Sequence, residues 1–251
     1  MTDKKIFDHF EDKITYSSAR EIVSILNETI KPGNVVDIGC GIGYFLKAFK
    51  DLGIKEVLGI DGRWTDRELV DINLEKEEFV VADLNKKLSI NRKFDLLICL
   101  EVAEHIDPKH TDVFLDNLVI LSDIIVFSAA IPFQGGLNHL NEKWTDYWVQ
   151  KFGLLGFKAL DVMREKIWAN KDIHWWYRQN MILFVKNAKY DLIKSKFKYS
   201  KKKFNTYVHP ELYLKNSMKL DRIINGKESL LFYLKLIVKK ITNQLKSMNG
   251  R

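Results

Sequence analysis

Unbroken apolar runs alternate with amphipathic stretches along most of this chain. "NVVDI", "EVLGID", "EFVVAD", "FDLLICLE" and "DIIVFSAA" read as strands, with helical segments or turns between most of them. Because these runs do not alternate apolar with polar, they predict strands buried on both faces, which means a parallel sheet covered by helices. Right-handed crossovers make such a sheet doubly wound. Upstream, Ile22, Val23, Ile25, Leu26 and Ile30 keep helical spacing behind a capping-box pattern of Ser18 and Glu21, and Pro32-Gly33 ends that helix. After Pro132, "EKWTDYWVQKFGLLG" predicts a helix ending at a glycine. "FKALDVMR" and "YRQNMILFVK" then add two strands, for a sheet of seven. A domain is expected over residues 1–186 and a largely helical extension over 187–251, where Leu230, Leu234, Ile237, Ile241 and Leu245 share one helix face.

Composition fits this plan. The chain has 251 residues, 46% hydrophobic and 29% charged, enough apolar material for one α/β domain and an added segment. The formal charge of +7 is uneven: residues 186–251 carry 17 basic against four acidic side chains, +13, so the preceding residues hold −6. The charge run "KSKFKYSKKKFN" reads first as solvated surface. The helical stripe beyond it is expected to pack on the domain or form a homodimer, with membrane-surface contact as the lesser reading. Cys40 and Cys99 have no zinc spacing and cannot form a disulfide framework. The charged start "MTDKKIFDHFEDK" lacks a signal peptide's apolar run, and no stretch is long and apolar enough to span a membrane. A soluble, cytoplasmic protein is the expectation.

The chemistry begins at "VVDIGCGIGYFL", residues 35–46, where Gly39, Gly41 and Gly43 follow the first strand. In an open parallel sheet the ligand site lies at the carboxyl ends of the strands, near the switch point, and glycines there let a ligand approach the backbone. A dinucleotide fingerprint needs G-x-G-x-x-G, but position 44 is Tyr and position 46 is Leu. No Gly-Lys-Ser/Thr follows, which excludes a P-loop. Asp37 ahead of the glycines would repel a pyrophosphate and suit a cation. Asp61 ends the second strand, where a carboxylate can accept both hydroxyls of a ribose. Asp83 ends the third, at the height of an adenine amino group. These features together fit S-adenosylmethionine.

The sequence resembles the class I S-adenosylmethionine-dependent methyltransferases over roughly residues 18–186, in four segments in the right order: "VVDIGCGIGYFL", "VLGID", "VVADL" and "FDLLICLEVAEHI". The resemblance implies a Rossmann-like, mostly parallel seven-stranded sheet with helices on both faces. It also implies that Asp37, Gly39, Gly41 and Gly43 hold the donor's methionine part, Asp61 the ribose, and Asp83 with Leu84 the adenine. Glu101 would border the donor's methionine end and the acceptor. The loop "GGLNHLNEKW" and the tail "VHPELY" are similar to features of methyltransferases of bacterial surface-glycan pathways, which implies a sugar or phosphorylated small-molecule acceptor.

Alignment of donor and acceptor is the main task in methyl transfer, and an oxygen acceptor gains further from deprotonation or a metal ion. His139 is the candidate general base, because an imidazole can take up a proton in the physiological range, and Glu101 is the second catalytic candidate. Asn138, Asn141 and Glu142 are candidate hydrogen-bonding partners of a polar acceptor. Arg178, in "NKDIHWWYRQN", is the candidate partner of an anionic group in a loop between the last two strands. Glu101, Glu104 and His105 are spaced to converge on one helical turn, a pattern similar to that of metal-using O-methyltransferases, and His139 would complete a four-residue divalent-metal set. The metal-free reading is preferred, because second-position Glu and His are also structural in such proteins. Trp144 and Trp148 read as core, and His209 as an acceptor contact. Two alternatives stand beside the small-molecule enzyme: a metal-dependent RNA 2′-O-methyltransferase, which the acidic body disfavours, and a non-catalytic donor-binding scaffold.

Overall fold

The computed structural model describes residues 13–197 and 207–248. Seven strands form one sheet: β1 (Asn34–Ile38), β2 (Glu56–Asp61), β3 (Phe79–Val81), β4 (Leu96–Leu100), β5 (Ile124–Ser128), β6 (Phe157–Leu160) and β7 (Ile182–Lys186). Their order is β3-β2-β1-β4-β5-β7-β6. The first five are parallel, and β7 runs antiparallel to both β5 and β6. The order reverses between β1 and β4, so the switch point lies beside the glycine turn.

Helices cover both faces, as continuous apolar strands require. One face packs Val35, Leu96, Ile98, Val126 and Leu183 against α1 (Lys13–Ile30) and α2 (Tyr44–Asp51), through Ile22, Leu26, Leu46 and Phe49. The other packs Ile38, Cys99, Phe127 and Phe184 against α4 (Thr111–Leu121) and α5 (Thr145–Leu154), through Phe114, Leu118, Trp148 and Phe152. Between them in sequence, α3 (Arg67–Asn73) follows β2. Two short helices, α6 (Met163–Ile167) and α7 (Trp175–Asn180), connect β6 to β7, and α8 (Tyr190–Lys196) follows β7.

Several expectations need correction. Helix α1 starts before Ser18, so Ser18 is no cap; its hydroxyl donates to Ile14 O at 2.7 Å and accepts from His174 N at 3.0 Å. "FKALDVMR" is a four-residue strand followed by a helix, and part of the expected loop "NKDIHWWYRQN" is α7. Trp148 is core, but Trp144 is exposed.

The chain divides into two compact units between Tyr207 and Val208, beyond the expected boundary at 186. Helix α8 packs against α1 and β7 and so belongs to the first unit. Residues 198–206, most of the expected charge run, lie outside the described residues, as do residues 1–12 of the N-terminal segment. In the second unit, α9 (Pro210–Ile224) is capped by His209, whose Nδ1 accepts from Glu211 N at 3.2 Å, and α10 (Leu230–Met248) follows. His209 is therefore a helix cap and 5% exposed, not an acceptor contact. The side chain of Leu245 lies outside the described residues.

Candidate functional site

The turn after β1 holds a backbone conformation that side chains would obstruct. Gly39 has φ 74°, and a Cβ there would lie 2.3 Å from Val102 Cγ2. Gly43, at φ 85°, would bring a Cβ to 2.7 Å from Leu74 Cδ1. At the end of β2, Asp61 ties this turn down: its Oδ2 accepts from Gly41 N at 2.7 Å and its Oδ1 from Gly62 N at 2.6 Å. Gly62 also makes room for an aromatic ring, since a Cβ there would sit 2.2 Å from the Trp64 indole.

A cavity of about 320 Å³ opens where these segments meet. Gly39, Gly41 and Val102 line it near the turn, Asp61 and Trp64 at the end of β2, and Leu84 and Asn85 after β3. Glu101, His105, Ile106, Asn138 and Leu140 complete the wall. Trp64, Asn85, Val102, Ile106 and Leu140 were not among the sequence candidates.

Three expected donor contacts, Gly43, Asp37 and Asp83, do not line this cavity. Asp37 is 3% exposed, and burial, then the Asp61 charge, push its carboxyl well above the usual range. Asp83 is half exposed and turns to its own loop, accepting from Asn85 N at 3.0 Å and pairing with Lys86 at 3.3 Å. Partial burial lifts the Asp83 carboxyl, but the bonds from Asn85 and Lys86 outweigh that and leave it below its ordinary value. Leu84 and Asn85, next in sequence, are the residues that reach the cavity.

Glu101 sits just past β4 with φ 56°, its N–H donating to Ser128 O at 3.0 Å. Its carboxylate accepts from Gln134 Nε2 at 2.8 Å and Asn180 Nδ2 at 3.1 Å. Asn180 Nδ2 and Gln179 Nε2 also donate to Gln134 Oε1, so a buried amide network fixes Glu101 from the β5 loop and α7. Burial raises the Glu101 carboxyl, against the pull of these bonds.

A second cluster adjoins it. Glu104 is fully buried, and neither carboxylate oxygen has a hydrogen-bond partner among the described residues. Its backbone oxygen holds the β5–α5 loop, accepting from Leu140 N at 2.7 Å and Asn141 N at 2.9 Å. Burial, reinforced by the Glu101 charge, pushes its carboxyl well above the usual range. The rings of His105 and His139 meet edge to face at 4.9 Å. Burial and the neighbouring His139 hold the His105 imidazole below its ordinary value. Glu104, His105 and His139 each offer a ligand atom within 4.8 Å of the others. Glu101, expected in this set, is outside it.

Both imidazoles have an acceptor at Nδ1: Asn138 O at 3.3 Å for His105, and Glu142 Oε1 at 2.8 Å for His139. Neither acceptor can donate, so each Nδ1 carries the proton and the neutral tautomer has its lone pair on Nε2. A carbonyl or carboxylate behind a histidine in this way is the usual support of a metal ligand, and equally of a general base.

The remaining acceptor candidates are built into the scaffold. Glu142 gathers its loop, accepting also from Phe133 N at 2.8 Å and Gly135 N at 2.9 Å. Asn141 is buried and donates to Thr111 Oγ1 at 3.1 Å. Arg178 is buried with Nη1 on Trp168 O at 3.1 Å, away from the cavity lining. Of the four, Asn138 alone lines the cavity.

Residues 9–122 match a family model described as a methyltransferase domain. With the sheet order and the glycine turn, this match supports a class I S-adenosylmethionine-dependent methyltransferase, an enzyme with S-adenosylmethionine as its cofactor. Solved structures share the fold. The methyltransferase domain of bacterial CtHen1-C is 16% identical with TM-score 0.52, covering 69% of this chain and 98% of its own. CalS10, an amino pentose methyltransferase from Micromonospora echinaspora, is 12% identical with TM-score 0.54, covering 68% and 91%. Magnesium protoporphyrin IX methyltransferase from Synechocystis PCC 6803 is 19% identical with TM-score 0.50, covering 69% and 84%. No curated protein matches the chain.

Proposed function

We propose that this enzyme methylates an oxygen of a small polar acceptor, a sugar or phosphorylated metabolite of surface-glycan biosynthesis. The observation that carries the oxygen acceptor is the buried, unpartnered carboxylate of Glu104 facing two imidazoles beside the donor cavity. A nitrogen acceptor with a free lone pair has no need of such a group. The sugar acceptor is supported by the loop "GGLNHLNEKW", and by the likeness of fold to an amino pentose methyltransferase.

The cavity fits the donor. Asp61 faces it with acceptor capacity left for ribose hydroxyls, because each carboxylate oxygen can take a second hydrogen bond. Trp64 offers a ring face for the adenine, with Leu84 and Asn85 on the adjoining wall. Glu101 presents fixed negative charge to the cationic end, and the open backbone of Gly39 and Gly41 admits it closely. Asp37 acts behind the turn. The bound donor supplies a methyl group already activated on a sulfonium.

Glu104, His105 and His139 also fit a divalent cation, two imidazoles and a carboxylate being a common donor set. Such an ion would bind the acceptor oxygen and lower its pKa. The 2.8 Å bond from His139 to Glu142 supports a second reading, in which His139 Nε2 takes the hydroxyl proton unaided. Assay of the purified protein on sugars and sugar phosphates, with and without EDTA, separates them. Turnover abolished by EDTA and restored by Mn²⁺ or Mg²⁺ supports the ion, and turnover indifferent to EDTA supports the base. Failure across the acceptor panel, with turnover on RNA instead, would overturn the small-molecule reading.

A further inference from the structure

Helix α10 carries an unburied apolar stripe. Leu230, Leu231, Leu234, Ile237, Val238 and Ile241 recur at the helical repeat, and each is at least 49% exposed. At 100° per residue they share an arc of about 120°. Lys235 and Lys239, both exposed, stand at one border of that arc, and Lys240 lies beyond Tyr233 at the other. The helix contains four lysines and no acidic residue. Within the same unit, α9 exposes apolar residues of its own, among them Leu214, Met218 and Ile224. None of the helices among the described residues is long and apolar enough to cross a membrane.

We propose that α10 lies in the plane of an anionic phospholipid surface, with the apolar arc at the acyl boundary and the lysines among the headgroups. Charge selects this occupant. A second copy meeting α10 stripe to stripe would bring lysine-bordered faces together with no carboxylate on either helix to pair with them. A nucleic acid would use the lysines but leave six large apolar side chains in water. An anionic bilayer satisfies both, since lysine stems can lie along the apolar face while their ammonium groups reach the phosphates. The helix has 19 residues, roughly 28 Å of contact along the surface.

Flotation of the full-length protein with phosphatidylcholine vesicles, alone or mixed with phosphatidylglycerol, tests this. The protein is expected to float with the mixed vesicles, and binding should fall at least roughly tenfold on phosphatidylcholine alone or in high salt. The double variant Leu234→Asp/Ile241→Asp is expected to lose flotation, while its affinity for S-adenosylhomocysteine, which reports an intact domain, stays unchanged. The proposal is overturned if the wild type fails to float with mixed vesicles, or if the double variant floats as well as wild type. It is also overturned if RNA displaces the vesicles and the double variant binds RNA undiminished.

Discussion

His139 Nδ1 and Glu142 Oε1 lie 2.8 Å apart, and the same carboxylate accepts the backbone N–H groups of Phe133 and Gly135. One side chain therefore both folds the loop and sets the imidazole's tautomer. Replacing Glu142 by Ala removes both functions at a residue that does not itself line the donor cavity. Turnover is expected to fall by about 10–100-fold, with affinity for S-adenosylhomocysteine changing by less than about threefold. Equal losses in both would show that Glu142 acts on the whole domain and not through His139.

Glu101 depends on partners far away in sequence. Asn180→Leu removes one amide donor to its carboxylate and one to Gln134 Oε1. A buried acceptor deprived of its partner costs about 1–3 kcal/mol, so the variant should be destabilised by that order in urea denaturation and bind donor more weakly. Asn180→Asp should be worse, because it places a second carboxylate against Glu101 in a buried site. Stabilities within about 0.5 kcal/mol of wild type for both variants would remove the network from the account.

Asp37 should govern part of the pH dependence. Burial and the Asp61 charge raise its carboxyl in the folded state. Above the unfolded carboxyl range near 4, the unfolded chain releases a proton that the folded chain retains, so this group makes stability fall as pH rises. Asp37→Asn removes that slope. Thermal unfolding without donor should show the variant gaining on wild type between about pH 5 and pH 8. A constant difference across that range would mean that Asp37 is ionised in the fold.

What sequence could supply was local. Runs such as "VVDI" and "LLICL" are apolar without alternation, and the glycine turn excludes side chains for reasons visible in spacing alone. The sheet of seven strands and the cavity's position followed from these. The amide network did not, since Glu101 and Asn180 are 79 positions apart and meet only because β7 inserts beside β5. Glu142 and Asn141 looked like acceptor-binding groups because polarity alone does not distinguish a loop's internal anchor from a ligand contact. The segment "DGRW" carries a local signal for Trp64: Gly62 beside the ribose-position Asp61 leaves space that a nearby large ring can fill. Ser18 failed as a cap because the residues before it already continue the helix, which no local rule forbids.

Calorimetric titration with S-adenosylmethionine and S-adenosylhomocysteine, comparing wild type with Asp61→Ala, tests the central claim most directly. The wild type should bind both. The variant, its fold verified by thermal unfolding, should bind at least about tenfold more weakly, the loss expected from removing hydrogen bonds to a charged group. Wild-type protein that ignores both ligands yet takes up a pyridine dinucleotide, or an Asp61→Ala variant that binds donor as tightly as wild type, would contradict the account.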